Sequence, residues 1–225
     1  MSYYRHLILS DPYLVSQVAH YPFDTNANDL INGINGTSTS INYGNAGKIG
    51  NCATFSGTSS LILLPDNDNL SFGSGAFSIN FWLYPTQTGG SWIFSKKNSA
   101  GVREYDIYYT GPTIIMTLYG TVGSIGRTFT AQVIYNAWNM ITFTFPGGTT
   151  TGNIKGYLNS NLIAVATNQT VAGYTGMPNT VATVKLGRDG TAANNQLQGR
   201  IDQTRIWKGR ELNQTEITDI YNTLY

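Results

Sequence analysis

The sequence predicts an all-β sandwich of two antiparallel sheets closed by one short C-terminal helix, and three observations carry that expectation. Phe77, Ile79, Phe81 and Leu83 alternate with Ser78, Asn80, Trp82 and Tyr84, the period of a strand. Two large rings on its second face mark that strand as central, with the face covered or forming a concave floor. Turn signals recur at the spacing of short strands, at Gly73-Ser74-Gly75, Gly89-Gly90, Gly147-Gly148 and Asp189-Gly190. At the end of the chain the period changes. Asn213 stands three residues before Glu216, as an N-cap with its capping-box partner, and Ile217, Ile220, Tyr221 and Leu224 follow as one helical stripe.

In chain order, residues 1–17 read as an N-terminal arm and 18–225 as one domain. Residues 18–24 (Val-Ala-His-Tyr-Pro-Phe-Asp) open it, and turns at Asn32-Gly33 and Asn35-Gly36 lead to a strand within 47–57. Cys52, the only cysteine, reads there as a small core residue, so no internal disulfide frames the fold. Strands follow at 77–85, 103–109 and 138–145, and Asn159-Ser160 marks a tight hairpin between Tyr157-Leu158 and Leu162-Ile163. The last strand, 199–208, places Ile201, Gln203, Arg205 and Trp207 on one face by strict alternation, and Asp202, Thr204, Ile206 and Lys208 on the other.

These segments resemble the laminin G-like, concanavalin A-like jelly-roll superfamily of lectins and glucanases. The closing Gly199-Arg-Ile-Asp-Gln-Thr-Arg-Ile-Trp207 with Leu212 and Glu216-Ile217 is similar to that family's ending. Six further segments match its order over about residues 14–225: 18–24, 47–57, 77–85, 138–145, 156–163 and 185–188, with Ser160 where the hairpin usually has Gly. The resemblance implies a concanavalin A-like jelly roll in which Trp138 and Trp207 pack in the core. It also implies one structural calcium bridging the first and last strands through Asp24 and Asp202, against the alternative that both acids cap turns or pair with Arg200 or Arg205. Residues 2–13 (Ser-Tyr-Tyr-Arg-His-Leu-Ile-Leu-Ser-Asp-Pro-Tyr) are similar to the lead-in of lectin-like bacteriophage structural proteins. On that likeness the chain is expected to be a virion component, folded in a host cytoplasm and possessing no signal peptide.

Composition narrows the function. Charged residues make up 11% and the net charge is +1, which leaves no electrostatic footprint for nucleic acid, and no apolar run approaches a membrane span. Glucanases of the superfamily carry two carboxylates at i and i+4 of one strand, about 5 Å apart, as acid/base and nucleophile. Here Glu104 and Asp106 begin such a strand, but Tyr108 and Tyr109 stand where the second catalytic acid belongs, so no enzyme is expected. Glu104 and Asp106 then read as solvent-facing charges, one paired with Arg103. His6 and His20 lack metal-ligand neighbours and read as structural.

Binding a glycan requires an apolar ring with fixed polar groups at its rim. Trp92, Tyr119, Tyr135 and Tyr174 are the candidate rings, and Asn98, Arg103, Arg127 and Asn136 the candidate rim. The expectation is a non-catalytic lectin-like virion protein whose partners are surface glycans or neighbouring virion proteins, with a homo-oligomer as an option. The alternatives are a cellular carbohydrate-binding adhesion module or a glycoside hydrolase.

Overall fold

In the computed structural model, which describes residues 14–97, 101–189 and 195–223, the alternating segment is central as predicted. This strand, β6 (Phe77–Pro85), pairs antiparallel with β11 (Asn139–Phe145) on one side and β16 (Gln198–Lys208) on the other. Outside β11 lie β12 (Lys155–Leu158) and β13 (Asn161–Leu162). The far edge of β16 is shared by β4 (Asn51–Ser56), which carries β3 (Asn42–Ala46), and by β1 (Gln17–Tyr21). The second sheet runs, in spatial order, β14 (Val165–Val171), β10 (Ser124–Phe129), β9 (Thr113–Tyr119), β8 (Arg103–Thr110), β7 (Ser91–Lys97), β15 (Val184–Leu186), β5 (Leu61–Leu64) and β2 (Thr37–Thr39). Phe81, Phe143 and Ile201 of the first sheet meet Phe94, Ile107 and Met116 of the second in one core. Each such side chain contributes about 1.5–3 kcal/mol by leaving water.

The outer face of the first sheet is covered. Helix α1 (Gln214–Thr223) starts in the predicted capping box: Asn213 Oδ1 accepts the Glu216 N–H (3.0 Å) and Glu216 Oε2 accepts the Asn213 N–H (2.8 Å). Arg210 pairs with the same glutamate. Ile217 and Ile220 pack on Trp82, Met140, Tyr157 and Trp207, and Tyr221 stacks on Trp82 with centroids 5.7 Å apart. Leu224, the last residue of the expected stripe, lies outside the described residues. Ser78 fixes the approach to the helix, donating to the Arg210 carbonyl (3.1 Å) and accepting the Leu212 N–H (2.9 Å). Of the two rings on the second face of β6, Trp82 is a helix contact and Tyr84 packs edge-on against Trp138, with centroids 5.4 Å apart. The helix on this face leaves the second sheet as the open one.

Strict alternation fails in β16. Gln203 enters the left-handed region (φ +47°) and the register against β6 shifts between Asp202 and Arg205, so Ile201 and Ile206 both face the core while Arg205 and Trp207 face the helix side. The bulge sits where the neighbour of β16 changes from β4 to β1, and a bulge is how a strand re-aims between two partners. Half-buried His20 of β1 anchors it, Nε2 donating to Gln203 Oε1 (2.9 Å).

Burial, and then the Arg205 charge, lower the His20 pKa from 6.5 to about 3, against the opposing Gln203 bond. The unfolded chain binds the extra proton between those values. The neutral ring thus contributes stability that is complete above pH 6.5 and is lost as the pH falls towards 3. His20→Gln should flatten the acid side of a urea-unfolding stability profile; an unchanged slope between neutrality and pH 4 would contradict this assignment.

The hairpin at Asn159-Ser160 is a two-residue turn in which both residues have positive φ (+47° and +67°). Asn tolerates that region and Ser does so at a cost, so the Ser160 departure from the family pattern carries strain. Ser160→Gly should stabilise the fold by about 0.5–1 kcal/mol in chemical denaturation. Cys52 is buried as expected, its Sγ set against the Asn45 and Ala46 carbonyls at 3.5 Å each.

Candidate functional site

The open sheet carries a mixed aromatic and charged surface. On β9, Ile114, Met116 and Leu118 enter the core, so Thr113, Ile115, Thr117 and Tyr119 face outward. On β8, Tyr105, Ile107 and Tyr109 enter the core, and Asp106 and Tyr108 stand outward opposite Thr117 and Ile115. A bulge in β7 at Ile93 lets Trp92 pair with Tyr108 and Ser95 with Asp106. The Trp92 and Tyr108 rings touch at 4.7 Å between centroids, tilted by 54°, and both are half-exposed. Gly90 makes room for them, because a Cβ there would collide with the Tyr108 hydroxyl.

One row along, the polar groups are fixed. Tyr119 donates to Asp106 Oδ2 (2.8 Å), Arg103 donates to the Tyr119 hydroxyl (3.1 Å), and the Arg103 guanidinium lies 3.6 Å from Asp106. Ser95 donates to Asp189 Oδ1 (3.1 Å), and Lys97 pairs with Asp189 Oδ2 (3.0 Å). Burial raises the Asp106 pKa to about 6, opposed by the Tyr119 bond and Arg103 and reinforced by Asp189. The same burial, with the Asp106 charge beside it, pushes the Tyr119 phenol well up. The face thus sets a half-exposed ring platform beside fixed polar and charged groups, the combination that recognition of a polyhydroxylated ligand requires.

Three of the eight sequence-predicted ring and rim residues, Trp92, Tyr119 and Arg103, lie on this face. Arg127, Tyr135 and Tyr174 do not. Arg127 shares the core-side face of β10 with Ile125 and Phe129, and reaches past the core to donate to the Ile154 carbonyl (2.8 Å) and Asn168 Oδ1 (2.9 Å). Tyr135 packs against the core and donates to the Gly111 carbonyl (2.7 Å), and Tyr174 is buried beside Gly120. Asn98 lies outside the described residues, and Asn136 donates its N–H to the Pro85 carbonyl (2.9 Å).

The expectation that Glu104 and Asp106 face solvent is overturned: both are buried, at 0% and 4% exposure. Glu104 pairs with fully buried Lys96 (2.9 Å) and accepts from the Thr180 N–H and hydroxyl (2.9 and 2.7 Å). The expected pairing of Arg103 with one of the two acids holds for Asp106. Asp106, Tyr108, Lys97 and Asp189 join the site without having been expected there from the sequence. The signal for the first two is the β8 alternation, which puts them on one face two residues apart.

Asp24 and Asp202 meet the same loop, residues 47–51. Asp202 Oδ2 accepts the Lys48 and Ile49 N–H groups (2.7 and 3.0 Å), its Oδ1 accepts from Gln203 (2.8 Å), and Asp24 Oδ1 accepts from Asn51 (2.9 Å). Glycines close the loop on both carboxyls: a Cβ at Gly47 would lie 2.6 Å from Asp202 Oδ2, and one at Gly50 (φ +57°) would collide with Asp24 Oδ1. Burial raises Asp202 to about 7, against three backbone N–H bonds and with Asp24 adding to it. A cleft of about 410 Å³ between Pro22, Asp24, Asn28 and Leu30 adjoins this pair, but Phe23 in its wall is wholly buried and offers no ring to a ligand. The open sheet face is therefore the better-equipped surface.

Comparison with known proteins agrees with this architecture. The laminin G-like family model of the concanavalin A-like lectin/glucanases superfamily matches residues 56–218. Among solved structures, the chain is similar to domain 4 of AbnA, an extracellular GH43 arabinanase of Geobacillus stearothermophilus, in complex with arabinotriose. That likeness has 22% identity and a TM-score of 0.69, covering 92% of this chain and 98% of that one. It is similar to the botulinum neurotoxin serotype D ligand-binding domain in complex with N-acetylneuraminic acid, at 18% identity and a TM-score of 0.66, over 92% of this chain and 50% of that one. It is also similar to the binding domain of Paraclostridial Mosquitocidal Protein 1, at 17% identity and a TM-score of 0.69, over 93% and 52%. The chain thus spans about half the length of these toxin binding domains. No curated protein sequence matches it.

Proposed function

The chain belongs to the concanavalin A-like lectin/glucanase superfamily, and on that premise we propose that it is a non-catalytic glycan-binding module whose open sheet face holds the sugar. The observation that carries this reading is the half-exposed Trp92–Tyr108 platform one row from Asp106, Tyr119 and Arg103. A pyranose or furanose face is apolar and its rim polar, which is the pattern this surface complements. The arabinotriose and N-acetylneuraminic acid complexes of its structural neighbours support the class of ligand. The non-catalytic part rests on β8: Glu104 is enclosed by Lys96 and Thr180, and Tyr108 occupies the i+4 position, so Asp106 is the one carboxyl of that series that borders the face.

Asp202 and the Asn51 carbonyl beside Gly47, with Asp24 beside Gly50, offer oxygen ligands to a calcium ion, which needs at least about six and takes the remainder from water. Such an ion offsets the mutual repulsion of the two carboxylates and ties β1 to β16. The finer reading places the module on a virion, where it attaches to surface glycan; its sequence support, residues 2–13, lies outside the described residues. Antibody labelling of purified particles against labelling of cell surfaces separates a virion component from a cellular adhesion module.

The deciding experiment is binding of the recombinant chain to a polysaccharide and glycan panel that includes arabinan oligosaccharides and sialylated glycans, run with calcium and with EDTA. Saturable binding that depends on Trp92 supports the module, and absence of binding across the panel overturns it. Loss of binding or of thermal stability in EDTA brings Asp24 and Asp202 into the site's support, and indifference to EDTA removes calcium from the account.

A further inference from the structure

The outermost strands of the two sheets are unequal. β13 has two residues, β2 has three, and β3 has five with a register shift between Asn42 and Asn45. Short or bulged edges are how soluble sheets avoid pairing with other chains. β14, the outermost strand of the open sheet, has seven residues and every one of them is exposed. Its ladder to β10 is regular over Thr167–Val171, the one shift lying at its start beside Phe129. Charge, the other common protection, is missing too: from Gly156 to Val184 the sequence has no Asp, Glu, Lys, Arg or His. Exposed valines and leucine flank the strand, Leu162 and Val165 (61% and 39%) at one end, Val171 and Val122 (61% and 65%) at the other.

We propose that β14 is a homodimer interface, pairing antiparallel with β14 of a second copy about Asn168. The strand's own sequence selects that occupant. Val-Ala-Thr-Asn-Gln-Thr-Val is nearly symmetric in chemistry about its centre, so a two-fold axis through Asn168 sets Val165 against the second copy's Val171 and Thr167 against its Gln169. No like charges oppose one another: Val165 meets Val171, Thr167 meets Gln169 and Asn168 meets Asn168, cross-strand pairs that stabilise a sheet, with Ala166 against Thr170 between them. The apolar patch at each end of the strand meets the opposite patch of the partner.

An antiparallel pair within one sheet has its two-fold axis perpendicular to that sheet. Both open faces then look the same way, and the two Trp92–Tyr108 platforms address one surface together. That consequence rests on the glycan-binding reading; the dimer does not. Two weak sites held on one side gain avidity by raising the effective concentration for the second contact.

Sedimentation equilibrium of the whole chain at micromolar concentrations tests the interface without any glycan. A dimer is expected. Thr167→Lys with Gln169→Lys places like charges opposite each other across the two-fold and should weaken self-association at least about tenfold. Thr167→Lys with Gln169→Asp places opposite charges there and should restore it. Both pairs lie at exposed positions, and circular dichroism checks that the fold is kept. A monomeric wild-type chain overturns the proposal, as does a dimer that the Lys/Lys variant leaves intact. Failure of the Lys/Asp variant to restore the dimer overturns the Asn168-centred register.

Discussion

Replacing Trp92 with alanine is expected to weaken glycan binding by about tenfold or more, at least about 1.4 kcal/mol, because the ring is the larger half of the platform. The indole meets Tyr108 at 4.7 Å and leaves part of its surface open, which is the surface the proposed sugar contact uses. Its removal costs apolar contact in the bound state and little in the free protein, so the melting temperature should fall by only a few degrees. Tyr119→Phe makes a milder and more specific change: it keeps the ring and removes the hydroxyl that joins Arg103 to Asp106. Arg127→Ala serves as the control, because its guanidinium is engaged on the core-side face by Ile154 and Asn168. Isothermal titration with the best ligand of the panel separates these cases. Equal losses for Trp92→Ala and Arg127→Ala would move the site off the open sheet.

That control also marks how far the site is legible in sequence. The β6 alternation and the Asn213–Glu216 capping box are local patterns, and local patterns survive in sequence because a few neighbouring residues determine them. Nothing comparable tells which way Trp92 or Tyr119 points: each is a ring close to a glycine turn, and buried Tyr174 is one as well. What separates them is sheet register, which pairs Trp92 with Tyr108 across a bulge and sets Arg127 beside Met116 of the core. The bulge at Gln203 is hidden for a similar reason. A left-handed Gln carries no mark comparable to a glycine, and its cause is the change of neighbour from β4 to β1, nearly two hundred residues away in sequence. Glu104 misleads because a charge in a strand looks solvent-facing until its partner is placed, and Lys96 becomes that partner only through the β7–β8 pairing.

Lys96→Ala is expected to cost about 3–5 kcal/mol of stability, more than any of the other substitutions, because it strands a buried carboxylate. Lys96 and Glu104 are both fully buried at 2.9 Å. The ammonium also donates to Ser71 Oγ (2.5 Å) and pairs with Asp66 (3.2 Å), while Glu104 holds Thr180, so the pair fastens the 66–71 and 179–182 loops over one end of the sandwich. The Asp66 arm is partly exposed and contributes little by itself. With about 2–4 °C of melting temperature per kcal/mol for a chain of this size, the loss should appear as a drop of roughly 6–20 °C. Glu104 Oε2 has no hydrogen-bond partner among the described residues, so part of the pair's desolvation cost is uncompensated. Removing both charges, by Lys96→Met with Glu104→Gln, should therefore cost clearly less than Lys96→Ala alone, since the amide keeps the Thr180 bond and no ion remains buried. Denaturant titrations of Lys96→Met, Glu104→Gln and the double give the coupling directly. Additive losses would mean that the two groups act independently, and the buried pair would then not be what closes this end of the sandwich.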